Sequence, residues 1–141
     1  MRNNHRTLRS TVTLDLLVPQ SPPVGVKVDL RYDTRDPYAV TAAFRAGPSG
    51  CVEWCFARDL LADGLIEESG VGDVRIGPAA DAVELVVLVL SAPAGLAVFE
   101  GLAEDLAEFL DRTYDVVLPG TESCWVSVDD ALSTLASRDP N

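Results

Sequence analysis

From Thr11 to Phe56 the chain alternates apolar and polar residues in four successive segments, and a period of two confines that half to a sheet with one buried face. Val12, Leu14, Leu16 and Val18 alternate with Thr11, Thr13, Asp15 and Leu17. Val24, Val26, Val28, Leu30 and Tyr32 alternate with Gly25, Lys27, Asp29 and Arg31. The third segment sets Tyr38, Val40, Ala42 and Phe44 on one face, the fourth Val52, Trp54 and Phe56. Pro19-Gln20-Ser21-Pro22-Pro23, Asp33 to Pro37 and Gly47 to Gly50 break the runs, and links this short predict an antiparallel meander.

The second half changes period. Ala57 to Asp63 suits one or two helical turns stopped at Gly64 by a left-handed cap. Val74 and Ile76 resume a strand. Ala82 to Leu90 is nearly all apolar, which predicts a strand covered on both faces by a helix or another subunit. From Val98 to Asp115, Phe99, Leu102, Leu106, Phe109, Leu110 and Thr113 recur three or four apart. At helical pitch they span an arc of roughly 100°, with Glu100, Glu104, Glu108, Asp111 and Asp115 opposite. After the Pro119-Gly120 turn, Ser127-x-x-Asp130 is a capping pattern for a last helix carrying Val128, Leu132 and Leu135. The expected class is α+β: a single domain over residues 11–138, built on a twisted, barrel-like antiparallel sheet of about six strands or more, with a short helix and two C-terminal helices. Residues 1–10 read as a mobile basic extension.

Charge and residue usage narrow the chemistry. A formal charge of −11 repels polyphosphates, so nucleic acid is not the expected partner. The longest apolar run, Leu85 to Leu90, is far below the roughly 18 residues of a membrane span. Arg2, Arg6 and Arg9 are followed by no signal-like apolar stretch, so a cytoplasmic chain is expected. Cys51 and Cys55 are about 13 Å apart in a strand, too far to bridge, and with Cys124 they lack zinc-site spacing; structural or surface thiols are expected. His5, the only histidine, sits in the polar terminus, which removes the commonest general base. Gly70-Val71-Gly72-Asp73 lacks the Lys-Ser/Thr pair of a phosphate loop and reads as a turn.

Two constellations remain. Between Glu100 and Asp115 six carboxylates accompany Arg112 alone, a local charge of 1 − 6 = −5. This is either the solvated side of an amphipathic helix or a surface that steers a basic partner. Around Arg31-Tyr32-Asp33-Thr34-Arg35-Asp36-Pro37-Tyr38 the signs alternate, and Asp33 or Asp36 is placed to accept contacts from Arg31, Arg35 or Arg58. A structural ion-pair cluster is the favoured account there, against a small enzyme using Asp33, Asp36 or Asp73. Trp54 reads as core beside Val52 and Phe56, whereas Trp125 is free to anchor a partner.

The same turn carries a resemblance. Leu30-Arg31-Tyr32-Asp33-Thr34, Asp36-Pro37-Tyr38-Ala39-Val40, Val52-Glu53-Trp54 and Phe56-Ala57-Arg58-Asp59-Leu60-Leu61 come first, followed by Gly64-Leu65. Gly70, Gly72-Asp73-Val74-Arg75, Pro78, Phe109-Leu110, Arg112-Thr113 and Leu118-Pro119-Gly120-Thr121-Glu122 follow. Across residues 11–136 these words resemble the SsgA-like sporulation and cell-division proteins of actinobacteria. The basic N-terminal extension, Cys51, Cys55, Cys124 and the Ser123 to Ser127 stretch lie outside the family's words. The resemblance implies a non-enzymatic adaptor of septation without cofactor or metal. It would recruit the tubulin-like division protein FtsZ, directly or through a sister SsgA-like protein, at division septa, meeting the membrane only through septal partners. It also implies a homotrimer with a Whirly-like fold. The alternative, a single-stranded nucleic-acid binder, follows from that fold likeness alone. The expected partner-binding residues are Glu100, Glu104, Glu108, Asp111, Pro119, Gly120, Glu122 and Trp125.

Overall fold

The computed structural model describes residues 5–48, 50–70 and 72–126. The strands are β1 (Thr7–Leu16), β2 (Val24–Asp33), β3 (Ala39–Arg45), β4 (Cys51–Ala57), β5 (Val74–Pro78), β6 (Leu85–Ala92) and β7 (Gly95–Leu102). The helices are α1 (Arg58–Gly64) and α2 (Ala103–Val116), and a 3-10 turn covers Glu122–Trp125. All seven strands form one antiparallel sheet in the order β4-β3-β2-β1-β7-β6-β5.

The sheet is a half-barrel, and one ring pair shows why. Phe44 on β3 and Phe99 on β7 are three strand steps apart, about 14 Å on a flat sheet. Their ring centroids nevertheless lie 4.8 Å apart. Curling brings the inward residues of the two halves together, so Val28, Leu30, Val40, Ala42, Phe44, Ile76, Leu88 and Phe99 form one core with Leu61 of α1 and Leu106 and Phe109 of α2. These inward positions are the ones the period of two marks in β1 to β3.

Several expectations change. β1 begins at Thr7, paired with Asp33, so residues 7–10 belong to the sheet rather than to a mobile extension. His5 and Arg6 are fastened as well: His5 Nδ1 lies 3.1 Å from Thr34 Oγ1, and the Arg6 N–H donates to that oxygen at 2.9 Å. The stretch from Val98 to Leu102, expected as the start of a long helix, belongs to β7. Phe99 and Leu102 keep the helical spacing but lie on opposite faces of the strand, and Gly101 conceals the alternation because the Leu14 side chain occupies the space where its Cβ would be. Gly64 is not a left-handed cap. It closes α1 against β5, where a Cβ would come within 2.5 Å of Ile76. In β6 only Val86, Leu88 and Leu90 are buried, while Leu85, Val87 and Val89 stay half-exposed, so the described residues cover one face rather than both. Gly70 and Gly72, with φ of 115° and 95°, form the expected turn into β5. The last expected helix, Ser127 onward, lies outside the described residues.

Candidate interaction surfaces

Three features organise the surface. The first is the acidic side of α2. Leu106, Phe109, Leu110 and Thr113 turn inward, which leaves Glu104, Glu108, Asp111 and Asp115 in solvent. Glu104 and Asp105 occupy the first turn, where negative charge is favoured by the free N–H groups of the helix start. The exposed Pro119-Gly120 turn, with Gly120 at φ 83°, follows the end of the helix. Of the expected contact residues, Glu104, Glu108, Asp111, Pro119 and Gly120 are exposed together. Glu100 is on β7, opposite Val87, and is not part of the helical stripe.

The second feature holds that turn in place. Arg58, fully buried at the start of α1, donates from Nη1 to the Val117 carbonyl at 2.7 Å and to the Thr113 carbonyl at 3.3 Å. Its Nη2 meets Glu122 Oε2 at 2.8 Å. The guanidinium carbon lies 5.1 Å from the Tyr32 ring centre and 4.9 Å from that of Tyr114. A cation is thus fixed at the carbonyl end of α2, where the helix dipole favours it, and is neutralised by a carboxylate on the following turn. Glu122 is 6% exposed, so the expected partner contact there is corrected: its carboxylate is committed to Arg58. That hydrogen bond and charge hold the Glu122 carboxyl below the usual carboxylate range. Burial pushes the Tyr32 phenol up to about 12, and its O–H donates to the Pro37 carbonyl at 2.9 Å. Trp125, half-buried, packs on the core and faces the His5 ring at 6.5 Å.

Arg58 therefore does not join the Asp33 cluster. There, partial burial acts to raise the Asp33 carboxyl, but the Arg35 N–H, the Thr7 hydroxyl and the Arg35 guanidinium outweigh it and hold the group low. Arg31 turns to Glu53 at 3.9 Å. On the outward face of β1 to β4, Arg9, Lys27, Arg31 and Arg45 are interspersed with Asp15, Asp29, Asp33 and Glu53, a balanced mosaic rather than a basic track. No support for the nucleic-acid alternative arises from it.

The third feature escaped the sequence reading. At the end of the half-barrel bearing Leu16, a groove of about 660 Å³ opens among Val24, Val26, Val52, Trp54 and Leu96, and among the described residues Arg45 alone brings a charge to its lining. Val52 is 49% and Leu96 70% exposed, so Trp54 lies along an open apolar wall rather than in a closed core. The readable signal was the uncharged run Ser91 to Val98.

Comparison with known proteins agrees with this architecture. Residues 26–122 match the family model described as Streptomyces sporulation and cell division protein, SsgA. The chain is 67% identical over 139 residues, 99% of each chain, to the sporulation-specific cell division protein SsgB of Saccharopolyspora erythraea. It superposes with a TM-score of 0.85 on the crystal structure of an SsgA-like sporulation-specific cell division protein from Thermobifida fusca, at 42% identity over 96% of this chain and 99% of that one. A second structure, solved in connection with SsgB mutations that correlate to longitudinal cell division during sporulation of Streptomyces coelicolor, gives a TM-score of 0.81. There the identity is 44% over 86% of this chain and 96% of that one.

Proposed function

The chain belongs to the SsgA family of sporulation and cell-division proteins, and from that premise we propose that it is a non-enzymatic adaptor of sporulation-specific septation. In this reading it brings the tubulin-like division protein FtsZ to future septa, directly or through a sister SsgA-like protein, and reaches the septal membrane only through such partners. One observation carries the reading: identity of 67% to an SsgB extends over 99% of both chains, so the likeness spans the whole fold and its surfaces rather than one motif.

The exposed acids of α2, with the Pro119-Gly120 turn, form the docking surface. Charges on a rigid helix accelerate encounter with a basic patch and set its orientation, while rim contacts add little affinity by themselves. The turn gives this surface a fixed end because Arg58 and Glu122 anchor both of its flanks. The apolar groove serves a different purpose, contact between copies in a trimer, since at −11 copies repel except where carboxylates are absent. The test is charge reversal at Glu104→Lys with Glu108→Lys. Capture of purified FtsZ, or of a sister SsgA-like protein, should weaken severalfold at low salt with the circular dichroism spectrum and oligomer mass unchanged. Capture at the wild-type level would overturn the assignment.

A further inference from the structure

Strand β4 is a sheet edge with no neighbour beyond it among the described residues. The Ala46 N–H donates to the Gly50 carbonyl at one end of the β3–β4 ladder, and the Arg58 N–H to the Tyr38 carbonyl at the other. Antiparallel ladders alternate, so Val52, Trp54 and Phe56 direct their backbone groups to β3 while those of Cys51, Glu53 and Cys55 point off the edge. The other edge differs. On β5, Ile76 exchanges two backbone hydrogen bonds with Ser69, at 2.8 and 3.0 Å. Cys51, Glu53 and Cys55 also share the outer face of the sheet, and all three are exposed.

We propose that β4 is an oxidation-dependent pairing edge between two copies of this chain, closed by two Cys51–Cys55 disulfides. The argument is one of symmetry. Two cysteines four apart on one strand are about 13 Å from each other and cannot bridge within a chain. An antiparallel pairing reverses the second strand: with Glu53 opposite its own copy, each Cys51 meets the Cys55 of the other chain. Directly opposed residues in such hydrogen-bonded pairs have Cα atoms about 5.5 Å apart, inside the disulfide range of roughly 4.4–6.8 Å. A shift by one ladder step either way places Glu53 opposite a cysteine and no sulfur opposite another. The contact is isologous, so each β4 edge takes one partner edge.

Glu53 explains why the edge stays open while the thiols are reduced. Two carboxylates directly opposite on the axis repel, and a charge on an edge strand is a general guard against pairing. Arg31, 3.9 Å from Glu53, moderates that repulsion enough for a covalent bond to overcome it. With hydrogen peroxide as oxidant the chemistry balances. One thiol is oxidised to a sulfenic acid as peroxide gives one water; the opposing thiol then displaces a second water and the S–S bond forms. The surface used is separate from α2 and the Pro119-Gly120 turn, so the inference is independent of the docking reading.

The experiment uses the full chain, reduced and then treated with hydrogen peroxide, read by non-reducing electrophoresis, intact mass and peptide mapping. A covalent dimer lighter than two monomers by four hydrogens, with Cys51 linked to Cys55, is expected. Cys51→Ser and Cys55→Ser should each abolish it, because every bond needs one cysteine of each kind, and mixing the two variants should restore a singly bridged dimer. Cys124→Ser should leave it intact. A dimer that persists in either single variant, a link through Cys124, or no dimer at all would overturn the proposal.

Discussion

Replacing Glu122 by Ala removes the only carboxylate within reach of the buried Arg58 guanidinium among the described residues. Breaking a buried ion pair from one side costs about 3–5 kcal/mol, since the remaining charge is left in a poorly solvating interior. Arg58 would keep the Val117 and Thr113 carbonyls and two aromatic faces, so the lower end, about 3 kcal/mol, applies. For a domain of this size 1 kcal/mol shifts Tm by roughly 3–4 °C, and the melting point should drop by about 10 °C. Glu122→Gln retains an acceptor oxygen of the same shape and loses only the charge, so about 1–2 kcal/mol is expected. Hydrogen exchange should quicken along 117–125 in both variants, more in the alanine form. A pH series adds a second readout. The folded Glu122 pKa is lowered, so its stabilisation is complete above the ordinary carboxylate value near 4.5 and is lost as pH falls through the lower folded value. The gap between wild type and Glu122→Gln should therefore narrow only below about pH 4.5. A melting point within about 1 °C of wild type for Glu122→Ala would refute the claim that this pair anchors the turn.

Gly64→Ala drives a Cβ into Ile76 and should destabilise by about 1–3 kcal/mol, measured by urea unfolding. Tyr32→Phe removes a buried hydrogen bond to Pro37 and should cost about 1 kcal/mol near neutrality. Because burial raises the Tyr32 phenol to about 12, its stabilisation is whole below the unfolded value of about 10 and declines as pH rises toward 12. Alkaline unfolding with absorbance detection of phenolate checks that order. Leu96→Asp places a charge on the apolar groove and should shift the proposed trimer toward monomer in light scattering while the circular dichroism spectrum is retained.

The first three strands were legible because each keeps its inward residues in step: Val12 and Leu14, then Val28, Leu30 and Tyr32, then Val40, Ala42 and Phe44 all lie where alternation puts them. The acidic stripe of α2 was legible for the same local reason at a helical period. The start of that helix was misread because Gly101 owes its small size to Leu14, a neighbour remote in sequence. Arg58 shows the same gap at the candidate site. Asp33 or Asp36 appeared to be its partner, yet it binds Glu122, 64 positions away. Arg58 and Glu122 both stood among the family words, which indicated that they matter without indicating that they meet.

Periodicity and charge, properties of neighbouring residues, were enough to establish a mostly antiparallel sheet, an acidic helix and a chain ill suited to nucleic acid. Tertiary structure decided where the sheet curls, which end opens as a groove, that Glu122 is buried and that the β4 cysteines sit on the outermost strand of the sheet. The physical reason is that curvature and burial are set by contacts between segments distant along the chain, which leave almost no trace in local order.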